Sequence, residues 1–153
     1  MQMDWMLMPL RRYADFSGRS RRKEYWFYIL GLVIVAIACT LAERMLSLPK
    51  IVFGVYGPLV ALFFLATFVP TLAVAIRRFH DQNRDGWWVL LGYGPQLLSW
   101  IAMATGSIGL IGIAGIVGLI GGVIMLVFMF LEGTRGPNRF GPDPKGAEGG
   151  MTV

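Results

Sequence analysis

Few residues in this sequence are equipped to do chemistry. His80 is the sole histidine and Cys39 the sole cysteine. His80 and Asp81 form the one credible acid–base pair, and general acid–base catalysis would need a further partner that the sequence does not supply. A metal site would need a second histidine or a cysteine cluster, and a single cysteine excludes an intramolecular disulfide. There is no P-loop, no H-E-x-x-H and no nucleophile with its base. The expectation is a chain that is not an enzyme and holds no cofactor or metal, with His80 in an interfacial hydrogen bond.

The remaining polar chemistry gathers in three segments: 16–26 (FSGRSRRKEYW), 77–88 (RRFHDQNRDGWW) and 133–144 (GTRGPNRFGPDP). In the second, Arg77 and Asp81 are four apart and can pair on one helical face. Asp85-Gly86 can turn the chain and cap the helix that follows, where an acid suits the dipole. The third is too rich in Gly and Pro to be helical. Its Asn138, Arg139, Phe140 and Asp143 are spaced by residues that pre-set turns, so order is expected over 133–144 and disorder over 147–153. The candidate interface cluster is Arg19, Arg22, Glu24, Arg77, Arg78, His80, Asp81, Trp87, Trp88, Asn138, Arg139 and Asp143. Asp81 and Asp143 are its expected acids, and Arg22, Arg78 and Arg139 its expected bases. A sharper version gathers Arg19, Arg22, Arg78 and Arg139 around a lipid phosphate.

The elements that must position these segments are membrane spans. The chain has 153 residues, of which 56% are hydrophobic and only 15% charged, with a mean hydropathy of +0.60. Soluble domains carry about 25% charged residues. Residues 25–42, 51–76 and 87–131 contain no Asp, Glu, Lys or Arg. A hydrocarbon core of about 30 Å takes roughly 20 helical residues, so the third run must be two spans. Its break is expected near Ala104-Thr105-Gly106-Ser107. The fold expected is all-α, an integral membrane bundle of four helices at about 25–47, 51–76, 86–104 and 108–131. A basic segment (1–24) precedes it and a Gly/Pro-rich tail (132–153) follows. Residues 5–10 are too few to span and are expected to anchor at the interface.

Charge orients the bundle. With four spans, 12 basic residues fall on the side of the termini and two, Arg44 and Lys50, on the other. The positive-inside bias makes the termini cytoplasmic, and Trp26, Trp87 and Trp88 fit an aromatic belt there. The same bias accounts for the net charge of +5, so no nucleic-acid partner is implied. Cleavage of the first span as a lipoprotein-type signal ahead of Cys39 is disfavoured by the long leader and by Ala36. No ionisable residue lies deep in a span, which argues against a proton relay or a carrier of charged solutes. Pro58, Pro70 and Pro95 are expected to kink their helices, with a local break at Gly94-Pro95-Gln96. Gly106, Gly109, Gly112, Gly115, Gly118 and Gly121 repeat every three residues and wind around the last helix, suiting close packing against its own neighbours.

Together the three segments resemble the signature of the domain of unknown function 805 family of YhaH-like small bacterial inner-membrane proteins, over roughly residues 10–146. The resemblance implies four membrane helices, and no established catalysis comes with it. Asp85 before Gly-Trp-Trp and Glu132 before Gly-Thr depart from the pattern and add acid at the interface. The functional expectation is a structural or accessory protein of the bacterial inner membrane. It would act at its cytoplasmic face through anionic phospholipid headgroups, a protein partner or a second copy. The alternative is a small-solute channel or transporter with Pro95, Gln96 and Ser99 lining a path.

Overall fold

The structure, a computed structural model, describes residues 2–52 and 54–145. Residues 147–153, expected to be disordered, lie outside the described residues. The described chain is helical: α1 (Gln2–Arg11), α2 (Arg22–Met45), α3 (Pro58–Asp81), a 3₁₀ turn (Gly86–Val89), α4 (Leu90–Thr105) and α5 (Ile108–Phe130). Three of these helices, α2, α3 and α5, are long and apolar enough to cross a membrane. The contacts divide the chain into two compact units. One draws on residues up to Asp15 and Lys23–Ala73, the other on Phe16–Arg22 and the chain from Val74 onward.

In the first unit α1 lies against α2 where Gly31 leaves room, since a Cβ there would sit 2.8 Å from the Met6 methyl. Pro70 lies inside α3 and has no N–H, so the carbonyl of Ala66, four residues earlier, loses its helical donor. The Tyr13 hydroxyl donates to that carbonyl at 2.7 Å. In an apolar surrounding such a replacement donor is what makes an internal proline tolerable. The deep hydroxyls of α3 are satisfied within the helix, Thr67 on the Phe63 carbonyl and Thr71 on the Thr67 carbonyl.

The second span was expected from residue 51, yet α3 starts at Pro58. The preceding residues close a tight turn around Gly54 (φ +68°), with the Tyr56 carbonyl accepting from the amides of Ile51 and Val52. Pro58 is pre-set for a first helical turn. Absence of charge cannot separate turn from helix, which is why the boundary slipped. Glu43, near the end of α2, is buried, 3% exposed, and its Oε1 accepts the Val60 amide at 2.9 Å. The unsatisfied amides and positive end of α3 supply what the carboxylate loses by leaving water. Gly57 makes this approach feasible, because any Cβ there would overlap the Glu43 carboxylate.

In the second unit α4 and α5 form a tight hairpin. The turn falls where the small residues placed it: Gly106 closes α4 in the left-handed region (φ +65°), and the Ser107 hydroxyl caps α5 by accepting the Leu110 amide at 3.4 Å. The expected break at Gly94-Pro95-Gln96 does not occur. The helix runs through Pro95, which withdraws the donor from the Leu91 carbonyl. Gly121 of α5 packs on that carbonyl, so closely that a Cβ would overlap it. Gly118 faces Pro95, and the Met125 sulfur occupies the space beside Gly92. The glycine row does wind around the helix: Gly118 and Gly121 meet α4, whereas Gly109, Gly112 and Gly115 face open space.

Candidate functional site

The site lies wholly in the second unit and is built on the end of α3. A helix leaves its last carbonyls without helical donors. Asn83 takes a left-handed conformation (φ +58°), which returns the amides of Asn83 to the His80 carbonyl and Arg84 to the Phe79 carbonyl. This is a Schellman closure. Distant segments add further donors to this end of the helix. The Ser20 amide donates to the Arg77 carbonyl at 3.0 Å, the Thr134 amide to the Asp81 carbonyl at 2.8 Å, and Asn138 Nδ2 to the His80 carbonyl at 2.9 Å. The N-terminal segment and the tail therefore cap α3.

Inside this cap sits one carboxylate between two guanidiniums. Asp81 Oδ2 accepts from Arg78 Nη1 at 2.5 Å, and its Oδ1 from Arg19 at 3.0 Å. The three side chains are 5%, 0% and 2% exposed. Burying such charges is favourable only if the remaining donors find acceptors. Arg19 supplies them to the tail carbonyls of Thr134 (2.6 Å), Gly136 (2.7 Å) and Gly141 (3.4 Å), and Arg78 donates to the Leu131 carbonyl. Gly133 passes so near Asp81 that a Cβ would overlap the carboxylate. Arg77 is fully buried and donates Nε to the Ser20 hydroxyl at 3.2 Å.

His80 Nδ1 lies 3.1 Å from the Gly18 carbonyl, which can only accept, so Nδ1 carries the proton. Its ring stacks on Phe140 at 3.9 Å with the planes 3° apart. Among the described residues no group of three His, Cys, Asp or Glu side chains could hold a metal ion.

The structure brings Arg19, Arg77, Arg78, His80, Asp81 and Asn138 together, and redistributes the rest. Asp81 pairs with Arg78 three residues back and with Arg19, in place of the expected Arg77. Asp143 was expected as a second acid of the cluster. Its oxygens instead accept the amides of Lys145 and Gly136, each at 2.9 Å, which holds its carboxyl below the usual aspartate range. A carboxylate in a proline-flanked turn finds backbone N–H groups nearer than any arginine.

Arg22 pairs with Glu132 at 2.6 Å and Arg139 with Asp85 at 2.9 Å, both exposed. Glu132 and Asp85 are thus the acids that take these two bases. Asp85 stands at the cap position of the 3₁₀ turn but makes no side-chain cap bond. Trp88 packs edge-on against Phe128 with the Arg84 guanidinium 5.0 Å from its ring centre, while Trp87 is 79% exposed. Glu24 is buried in the first turn of α2, in the other unit. Reading the sequence missed Ser20, Asn83, Gly133 and Thr134, which act mainly through backbone groups. The Gly-Thr pair just past a charge-free run was the available signal. With Arg19 and Arg78 buried against internal acceptors, a phosphate pocket built on them does not form.

Apolar helices of spanning length, with charge confined to their ends, define a small multi-pass integral membrane protein. The family described as "Protein of unknown function (DUF805)" matches residues 13–142, and the chain belongs to it. It is 38% identical over 144 residues to the inner membrane protein YhaI of Escherichia coli K12, covering 94% of this chain and 97% of the relative. It is 37% identical over 143 residues to the inner membrane protein YhaH of the same strain, covering 94% and 98%. It is 29% identical over 137 residues to the uncharacterized protein YiiR, covering 84% and 85%. No solved structure matches the chain.

Proposed function

We propose that the protein is a non-enzymatic accessory protein of the bacterial inner membrane that crosses it four times with both termini cytoplasmic. α4 and the 3₁₀ turn before it form the remaining span. Four residues of 3₁₀ helix and 16 of α-helix give about 32 Å, near the hydrocarbon thickness of about 30 Å. The observation that carries the functional reading is the use of the signature charges. The Arg19, Arg78 and Asp81 side chains are buried against each other, while Arg22, Arg139 and Lys145 stay 40–56% exposed around them. The face offered to other molecules is therefore a rim in which these three bases outnumber their two exposed acid partners, Asp85 and Glu132, around the buried centre. That suits anionic phospholipid headgroups and an acidic surface on a protein partner or a second copy.

Reporter fusions after Val153 and within 84–86 should read cytoplasmic, and one at 47–49 periplasmic. A periplasmic C-terminus overturns the four-span reading. Arg22→Gln/Arg139→Gln/Lys145→Gln should lower co-purified phosphatidylglycerol with only a small change in the thermal midpoint, because exposed pairs contribute little to stability. Unchanged lipid would remove the rim from the account.

A further inference from the structure

The first unit contains an open apolar cavity of about 660 Å³ along α2 and the start of α3. On α2 its wall runs from Ile29 to Arg44. That is about 22 Å at 1.5 Å per residue, within a hydrocarbon core of about 30 Å. The lining is aliphatic and aromatic except at one end, where Thr40, Glu43, Arg44, Lys50 and Tyr56 gather. Two of these polar groups are already engaged: the Thr40 hydroxyl donates to the Ala36 carbonyl at 2.8 Å, and Glu43 accepts the Val60 amide. The exposed side chains of Arg44 and Lys50 have no hydrogen-bond or ion-pair partner among the described residues.

These two are also the basic residues that the positive-inside bias leaves on the far side, where cations are disfavoured. Both stand at the mouth of the same cavity. We propose that the cavity binds one anionic amphiphile, its acyl chain lying along α2 and its phosphate or carboxylate head held between Arg44 and Lys50. A volume of about 660 Å³ is of the size that ligand sites show, about 300–1,000 Å³. Glu43 lines the same end but faces the start of α3, which offsets its charge. The side of the membrane on which the site opens rests on the orientation proposed above, whereas binding itself does not, so the two fail separately.

The test is native mass spectrometry of the full chain from mild detergent, in the Arg22→Gln/Arg139→Gln/Lys145→Gln background so that rim lipid does not contribute. The probes are phosphatidylglycerol against phosphatidylcholine of the same acyl chains, then oleate, then inorganic phosphate. One phosphatidylglycerol or one oleate should be retained per chain. Its preference over phosphatidylcholine should be about thirtyfold, the size expected of two cations on one headgroup. Inorganic phosphate should not be retained, because the acyl chain carries the apolar contacts. Arg44→Gln/Lys50→Gln should reduce phosphatidylglycerol to the level of phosphatidylcholine with an unchanged thermal midpoint, and Ala36→Trp should abolish retention of both lipids and of oleate. Undiminished preference in the double variant, retention of phosphate alone, or a second copy covering the cavity without lipid would each overturn the proposal.

Discussion

Replacing Asp81 by asparagine keeps the side chain's shape and removes its charge. Arg19 and Arg78, 2% and 0% exposed in their side chains, would then share a site with no anion. Breaking a buried pair costs about 3–5 kcal/mol, because the partner's charge stays desolvated. Here two partners are stranded, but Arg19 keeps three tail carbonyls and Arg78 keeps that of Leu131. The cost should therefore lie near the lower bound, about 3 kcal/mol. The assay is reversible unfolding in mixed micelles, followed by helical circular dichroism, for Asp81→Asn, Arg19→Gln and the pair. Coupling of at least about 1 kcal/mol is expected between these two positions. Arg139→Gln is the internal control, since Arg139 pairs with Asp85 at the surface. It should cost about 0–1 kcal/mol alone and add to Asp81→Asn without coupling. A loss below about 0.5 kcal/mol for Asp81→Asn, with additivity to Arg19→Gln, would refute the reasoning.

Gly133→Ala should destabilise by about 1–3 kcal/mol by driving a methyl into the Asp81 carboxylate, whereas Gly94→Ala, with open space around it, should be neutral or stabilising in the same unfolding assay. Tyr13→Phe should cost about 0.5–1.5 kcal/mol by orphaning the Ala66 carbonyl, and should become silent in a Pro70→Ala background, where the helix regains its own donor. Because the Asp143 carboxyl is held below its ordinary 3.8, the turn it makes is stabilised above that pH and released as pH falls through the lowered value. The Gly136 amide resonance should report a midpoint below 3.8 in the wild type and no such step in Asp143→Asn.

Much of the helical skeleton is legible because membrane helices announce themselves by absence of charge. The turn at Gly106-Ser107 was legible too, since only small residues interrupt 45 charge-free positions there. The start of α3 was not, because Ile51 to Gly57 is as apolar as the helix it precedes. The unbroken helix at Pro95 depends on Gly121, a tertiary partner that no local rule includes. In the site, the meeting of the three charged segments followed from their positions at span ends. Which base takes which acid did not, since Asp81, Asp85, Glu132 and Asp143 all lay within plausible reach of Arg22, Arg78 and Arg139. Burial decides it. Asp81 alone is enclosed, so it takes the enclosed arginines, and the exposed acids take the exposed ones.

Hydrogen exchange of the full chain in detergent tests the central claim most directly, that the N-terminal segment and the tail are locked onto the end of α3. The Ser20 and Thr134 amides, bonded to the carbonyls of Arg77 and Asp81, should exchange slowly in the wild type. Both should accelerate together in Asp81→Asn, while peptides from α4 and α5 stay protected. Exchange of residues 133–141 at free-chain rates in the wild type would contradict the lock outright.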